Sequence, residues 1–141
     1  MERLIVTDAC VLLKWVLPAE QEQNLAQALA LRRAFEEQRI DLLLPPLWFY
    51  EVGNVLTRKC PSDAARRLRL LTDLAMPEAR PSTRWQEAIC ELVQTSGATF
   101  YDATYHALAR VTSGVFVTAD MKYLARAGRD AHILPLSEWL D

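Results

Sequence analysis

The sequence predicts an α/β protein with three layers, in which helices cover both faces of a mostly parallel sheet. Short apolar runs typical of buried strands alternate with longer segments of helical periodicity. Two of these runs, Leu4–Thr7 and Val115–Thr118, lead almost directly to an aspartate, Asp8 and Asp120 respectively. Ligands of open α/β sheets bind at the carboxyl ends of the strands. The two aspartates therefore lie where chemistry is expected.

Composition and charge limit the class of protein. The chain has 141 residues, of which 51% are hydrophobic and 24% charged, and this predicts one soluble domain spanning residues 1–141. A net charge of −2 gives no overall basic field, so binding to a polyanion needs a local basic patch or metal ions. Cys10, Cys60 and Cys90 lack C-x-x-C spacing, and their odd number suits a reducing compartment. With no apolar run long enough to span a membrane, we predict a cytoplasmic protein.

The segments after the first strand are predicted in order from their boundaries. Val11–Leu17 resembles a short helix that is stopped by Pro18. Glu20–Arg39 is rich in helix formers, with apolar residues at amphipathic spacing. Asp41–Leu44 is typical of a second strand, and the two prolines that follow it pre-set the first turn of the next helix.

The next predicted helix, Leu47–Lys59, is largely apolar but contains an acidic residue, Glu51. Asn54 and Arg58 follow three and seven residues later, so the three polar side chains share one face of the helix. The apolar aromatic surface of this helix also suggests an interface with another chain.

The remaining elements are predicted from capping residues. Serine, threonine and aspartate favour helix starts, and glycine favours helix ends. Thr99-Phe100-Tyr101-Asp102 resembles a capping box with aspartate in place of glutamate. We expect helices at Ala64–Ala75 with Ser62 as its cap, from Ser82 to Gly97, from Thr99 to Val111 and at Asp120–Ala127, and strands at Glu78–Pro81, Val115–Thr118 and His132–Leu136.

Four carboxylates, Asp8, Glu51, Asp102 and Asp120, are the candidate functional residues. Each has a structural alternative: a helix cap, a favourable interaction with a helix dipole, or a solvated face. Carboxylates that converge on one pocket, however, either become protonated or bind a cation. A set of oxygen ligands without histidine or cysteine spacing selects Mg²⁺ or Mn²⁺, ions that catalyse in-line displacement at phosphorus.

Four stretches that contain these residues resemble the PIN-domain family, and specifically the VapC-type toxin ribonucleases of toxin–antitoxin modules. The stretches are Val6–Leu12, Pro45–Leu56, Tyr101–Ala109 and Val117–Asp120. The resemblance covers nearly the whole chain, and its order and spacing are specific. One departure is Cys10, where the family commonly has serine.

The resemblance implies a PIN-like α/β fold and a Mg²⁺- or Mn²⁺-dependent endoribonuclease. It also implies an RNA substrate, a small antitoxin partner and a homodimer. Asp8, Asp102 and Asp120 would be metal ligands, and Glu51 would belong to the metal shell or position the attacking water. Thr118 and Asn54 would be supporting residues.

We interpret the other notable residues mainly as structural. His106 shares a helical face with Asp102 but is expected at the surface or the edge of the core, and His132 is expected to be structural. The aromatic residues Trp15, Trp48 and Tyr50 favour packing over stacking on RNA bases. Candidates for phosphate contacts are Lys14, Arg58, Lys122 and Arg126, whereas Arg66, Arg67 and Arg69 are interpreted first as a solvated face.

Three alternatives remain at this point. A receiver-type signalling domain also binds Mg²⁺ at strand ends, but here the second strand ends in two prolines and no lysine follows Leu134. A non-catalytic PIN-like interaction module is disfavoured by the presence of all four acidic residues. A PIN nuclease that processes RNA without an antitoxin is the third, and the compact length of the chain favours the toxin over it.

Overall fold

The computed structural model describes residues 3–140, apart from the side chain of Gln21. Its sheet contains β1 (Arg3–Thr7), β2 (Ile40–Leu42), β3 (Val115–Thr118) and β4 (Ile133–Pro135). In this part of the chain the strands lie in the order β2-β1-β3-β4, and all neighbours pair in parallel. The predicted α/β fold with a mostly parallel sheet is therefore confirmed.

Seven helices surround the sheet in the described residues. They are α1 (Ala9–Lys14), α2 (Leu25–Glu36), α3 (Leu47–Lys59), α4 (Ala64–Thr72), α5 (Thr83–Ser96), α6 (Phe100–Thr112) and α7 (Met121–Ala127). Helix α6 packs on β1, β3 and α5, whereas α1 packs on α2 and α3, and α2 packs on β2. The crossovers from β1 to β2 and from β2 to β3 run in opposite directions, so right-handed connections put their helices on opposite faces.

This strand order creates a topological switch point between β1 and β3. The chain leaves β1 for β2 on one side and later returns to form β3 on the other side. Crevices form outside the carboxyl ends of the strands at such a point. Both strands are buried there, because Val6, Thr7, Val117 and Thr118 are inaccessible to solvent. The ends of β1 and β3 thus lie at a crevice and are held in place by the buried core.

Several predicted boundaries were wrong by one to five residues. Helix α2 begins at Leu25 rather than Glu20, because Asn24 adopts a left-handed conformation with φ of 56°. Asp63, not Ser62, precedes α4, and its carboxylate bonds the guanidinium groups of Arg66 and Arg67 instead of capping the helix.

The strand predicted at Glu78–Pro81 is reduced to an isolated parallel bridge between Leu44 and Glu78. The N–H of Leu44 donates to the carbonyl of Pro77, and the N–H of Ala79 donates to Leu44. Prolines at positions 77 and 81 lack the N–H groups that a longer ladder needs. For a related reason β2 ends at Leu42, three residues before Pro45.

The predicted caps of the next two helices are correct. The hydroxyl of Ser82 accepts from the N–H of Trp85 at 3.2 Å, and Gly97 ends α5 at φ of 70°. The hydroxyl of Thr99 accepts from the N–H of Asp102 at 3.1 Å and starts α6. No helix within residues 3–140 is long and apolar enough to cross a membrane.

Candidate active site

One small pocket of about 50 Å³ brings together all four predicted carboxylates. It lies at the switch point, where β1 and β3 end. Its wall consists of Asp8, Ala9, Cys10, Glu51, Asp102, Tyr105, Phe116, Asp120 and Tyr123. Four acidic residues from different parts of the chain therefore meet at one place, as the strand ends and helix positions predicted.

Asp8 is the most deeply buried of the four acidic residues. It follows β1 and caps α1, since its Oδ1 atom accepts from the N–H of Val11 at 3.2 Å. Its Oδ2 atom accepts from the hydroxyl of Thr118 at 2.5 Å. Burial raises the pKa of Asp8 to about 7, and the negative charges of Asp120 and Glu51 add to this, while the two hydrogen bonds lower it.

Asp120 faces Asp8 from the end of β3. Its Oδ1 atom accepts from the N–H groups of Lys122 and Tyr123, both at 3.1 Å, and so caps α7. Its own N–H donates to the hydroxyl of Thr118 at 3.0 Å. The predicted supporting residue Thr118 thus links the two aspartates, because one hydroxyl donates to Asp8 and accepts from the backbone of Asp120.

Glu51 enters the pocket from α3 and is held by a tyrosine. The hydroxyl of Tyr105 donates to the Oε1 atom of Glu51 at 2.5 Å. Burial raises the pKa of Glu51, as does the charge of Asp102, while the bond from Tyr105 lowers it. Asn54 lies one turn further on α3 and is exposed; it lines a neighbouring groove with Glu51 and Tyr101 instead of the acidic pocket.

Asp102 occupies the first turn of α6, where Thr99 caps the helix. Burial raises its pKa, and the charge of Asp120 adds to the rise, whereas Thr99 and Arg126 lower it. The guanidinium of Arg126 donates to the carbonyl of Gly97 at 3.0 Å, which keeps this cation near the rim.

The donor chemistry of this pocket fits a hard divalent cation. All four acidic side chains offer oxygen, and the pKa values of three of them are raised in part by one another's negative charge, which a cation would neutralise. In residues 3–140, however, no three aspartate, glutamate, histidine or cysteine side chains converge closely enough to hold one ion. Oxygens of Asp8, Glu51 and Asp120 are instead bonded to donors of the protein itself. The set fits in kind and place, but it is not arranged around a single point.

Comparison with known proteins identifies the fold family. The PIN domain model matches residues 5–130. The chain belongs to the PIN domain family. PIN domains are generally nucleases, so the acidic pocket belongs to a nuclease fold. No curated protein matches the sequence.

Two solved structures are similar to this PIN domain over almost all of its length. The crystal structure of PAE2754 from Pyrobaculum aerophilum has a TM-score of 0.66 and 21% identity, covering 96% of this chain and 92% of that one. A toxin–antitoxin complex from Klebsiella pneumoniae also has a TM-score of 0.66, with 16% identity and coverage of 96% and 98%. At this identity they support the α/β fold of the PIN domain.

The histidine that shares a helix with Asp102 is fully buried, whereas it was expected at the surface or at the edge of the core. The Nδ1 atom of His106 lies 2.6 Å from the hydroxyl of Tyr123, and its Nε2 atom lies 2.8 Å from Asp130. The guanidinium of Arg110 also binds Asp130. His106 therefore lies in the core of the PIN domain behind the pocket, within a hydrogen-bonded cluster.

Tyr105 and Tyr123 are pocket residues to which sequence analysis gave no role. Tyr105 lies three residues after Asp102 and Tyr123 three after Asp120, so helical spacing puts each near its aspartate. That spacing is the signal that could have identified them. The partners of their hydroxyls, Glu51 and His106, are distant in sequence and follow only from the tertiary structure.

Some of the cationic and aromatic residues singled out in the sequence are buried in the PIN domain, and others are exposed. Lys14 is buried, with its ammonium 3.5 Å from Glu22, whereas Arg58 and Lys122 are exposed. Arg66 and Arg67 bind Asp63, as expected for a solvated face, and Arg69 lies 3.9 Å from Asp73. Trp15 and Trp48 are buried, with indole N–H groups bonded to Ala28 and Glu78, but Tyr50 is 70% exposed.

Proposed function

We propose that this PIN domain is a Mg²⁺- or Mn²⁺-dependent endoribonuclease. The observation that supports it is the single pocket at the switch point where Asp8, Glu51, Asp102 and Asp120 meet. Three of these groups have raised pKa values, partly because of neighbouring negative charge. Perturbed carboxylates clustered in a crevice are typical of a functional site.

Asp8, Asp102 and Asp120 would hold the ion, with Glu51 at its edge. When bound, such an ion lowers the pKa of water and shields the phosphate charge. Thr118 keeps Asp8 and Asp120 in a fixed relation through its hydroxyl. Tyr105 fixes one oxygen of Glu51 and leaves the other for water or metal. Asn54, on the exposed side of Glu51, would contact the substrate from the adjoining groove.

RNA is the proposed substrate because exposed cations and an exposed aromatic ring lie close in sequence to the acidic residues. Arg58, Lys122 and Arg126 are exposed near the acidic motifs and can contact phosphates. Tyr101 is 61% exposed beside Asp102, and aromatic rings of this kind stack on unpaired bases.

Chelation tests the proposal directly. Purified protein should cleave single-stranded RNA in Mg²⁺ or Mn²⁺, stop in EDTA, and resume when Mn²⁺ is added in excess. Gel analysis of a labelled RNA gives the rate in each condition. Cleavage that continues at full rate in EDTA would exclude the metal mechanism.

We further propose that the protein is the toxin of a toxin–antitoxin pair and forms a homodimer. One of the structural neighbours is a toxin–antitoxin complex. Large hydrophobic side chains are exposed on α3, α4 and α6, namely Phe49, Tyr50, Leu70, Phe100 and Tyr101. Tyr50 and Tyr101 line one groove, and a contiguous exposed apolar surface marks an interaction site. Three free cysteines, two of them exposed, suit the reducing cytoplasm where such a pair would act.

Two observations test these associations separately. Light scattering at micromolar concentration should give the mass of a dimer, and a monomer there would contradict the homodimer. A short neighbouring reading frame that encodes a small DNA-binding protein, and that blocks cleavage when co-purified, would support the toxin. A PIN nuclease that processes RNA without an antitoxin is the alternative if no such partner exists.

A further inference from the structure

A second cleft is lined by Thr118, the residue whose hydroxyl binds Asp8 of the acidic pocket. Its volume is about 360 Å³, within the range of small-molecule sites. It is formed where β3 and β4 end, by Thr118, Ala119, Pro135 and Leu136. The two cavities are therefore neighbours along one edge of the sheet.

The polar lining of this cleft is not used by the fold. Asn24 precedes α2 in a left-handed conformation, but its side chain makes no capping hydrogen bond to the helix. Gln23 beside it is also exposed. Within residues 3–140 neither side-chain amide is hydrogen-bonded. Each amide offers both a donor and an acceptor, the combination that nucleobase edges require.

A buried cation completes this lining. Lys14 is only 9% exposed, and its ammonium lies 3.5 Å from the carboxylate of Glu22, at the outer limit of a hydrogen bond. An ammonium has three N–H donors, so this single contact leaves two for a ligand. A buried lysine with spare donors at the wall of a cleft favours a polar or anionic ligand there.

The rest of the cleft lining is largely apolar. Met121, in the first turn of α7, is 70% exposed and lines the cleft together with Pro135. A thioether packs well against the face of an aromatic ring. Met121 directly follows Asp120, so a planar group held here would lie next to the acidic pocket.

We propose that this cleft is the subsite for one nucleotide of single-stranded RNA adjacent to the scissile phosphate. Its base packs on Met121, the amides of Gln23 and Asn24 bond the polar edge of the base, and Lys14 contributes a further donor. RNA recognition commonly uses such splayed, unpaired bases. This subsite deepens the proposed ribonuclease function and rests on it for the position of the cut.

Binding gives the first test, in a protein that cannot cleave. A fluorescein-labelled single-stranded RNA of ten random nucleotides is titrated into the Asp102→Asn protein, and anisotropy gives the affinity. Introducing both Gln23→Ala and Asn24→Gly into the Asp102→Asn protein should weaken its affinity for the RNA at least fivefold. Glycine removes the amide but accepts the left-handed φ at position 24, so the fold is kept. Gln94→Ala, an exposed amide on α5, is the control and should leave the affinity unchanged.

Cleavage gives the second test, with Asp102 intact. Sequencing the products of a random RNA pool should show a base preference next to the cut that Gln23→Ala with Asn24→Gly abolishes at that position alone. Cleavage with unchanged affinity and unchanged preference in the double variant overturns the subsite but not the ribonuclease. Absence of cleavage with an affinity that still depends on Asn24 overturns the ribonuclease but not nucleotide binding in the cleft. Absence of both overturns both.

Discussion

Two neighbouring clusters of ionisable side chains in this PIN domain both include residues of α6, and they are built in opposite ways. Asp130 is surrounded by donors: Arg110, His106 and the backbone N–H of His132 at 2.9 Å. Burial opposes ionisation of Asp130, but these bonds outweigh it and its pKa is lowered. In the acidic pocket, burial and like charges instead raise the pKa of Asp8, Glu51 and Asp102.

The difference separates a structural carboxylate from those proposed to be functional. A carboxylate that the fold needs receives its counter-charges from the fold, as Asp130 does. The acidic pocket keeps excess negative charge, which costs stability unless a cation is supplied from outside. Tyr123 joins the two regions, because its ring lines the acidic pocket and its hydroxyl bonds His106. Through Tyr123, the cluster around Asp130 thus contacts α7, the helix that Asp120 caps.

The largest expected effect comes from neutralising one carboxylate of the acidic pocket. Asp102→Asn should reduce RNA cleavage at least 100-fold, equivalent to about 2.7 kcal/mol of transition-state stabilisation. Without metal, its melting temperature should be unchanged or higher, since one like charge is removed from the pocket. It should also remove most of the thermal shift that Mn²⁺ produces. Initial rates and thermal melts with and without Mn²⁺ measure these effects.

The control for this variant is Asp41→Asn, an exposed carboxylate on β2 far from the pocket. It should change neither the rate nor the Mn²⁺ shift. If Asp102→Asn retained full activity, or lost activity only because it no longer folded, Asp102 would not be a metal ligand.

Neutralising Asp130, in the other cluster, should instead reduce the stability of the protein. Asp130→Asn removes the negative charge and one of the two acceptor oxygens that Arg110, His106 and the backbone N–H of His132 share, so we expect it to lower the free energy of unfolding by about 2–3 kcal/mol. The carboxylate is only 11% exposed, so water replaces it poorly. Urea denaturation measures the loss. An Asp130→Asn protein as stable as the parent would mean that this cluster is not a structural support.

The fold could largely be predicted because its signals are local. Ser82, Gly97 and Thr99 act within a few residues of themselves, and their caps formed as expected. The buried strands β1 and β3 appear in the sequence as uninterrupted apolar runs. The aspartates that follow these strands lie close together because neighbouring parallel strands end at the same edge of a sheet. This could be predicted, since each aspartate directly follows its strand in the sequence or comes two residues after it.

What could not be predicted depends on contacts between distant residues. Nothing in the sequence near Asn24 indicates that it adopts a left-handed conformation and delays α2. The burial of His106 depends on Tyr123 and Asp130, which come 17 and 24 residues later. Tyr105 holds Glu51 across 54 residues. In the same way, the cleft beside Thr118 exists only because β4 ends next to β3.

The smallest expected effect concerns the pH dependence of stability, and it tests whether His106 is neutral. Burial lowers the pKa of His106, and Arg110 and His132 lower it further, although Asp130 raises it. An unfolded histidine has a pKa of about 6.5. On acidification the unfolded chain therefore binds its proton first, so His106 contributes stability above pH 6.5 that is lost as the pH falls through its folded pKa.

The comparison between parent and His106→Gln isolates this effect from the acidic pocket. Asp8, Glu51 and Asp102 titrate in both proteins, and their raised pKa values act in the opposite direction, so they cancel in the difference. The stability gap between parent and variant, measured by urea denaturation from pH 7.5 to 5.5, should become smaller on acidification. A gap that widened would mean that His106 takes up a proton more readily in the folded protein. The cluster would then be an imidazolium–carboxylate ion pair with Asp130, and its charge balance would depend on the histidine as well as on Arg110.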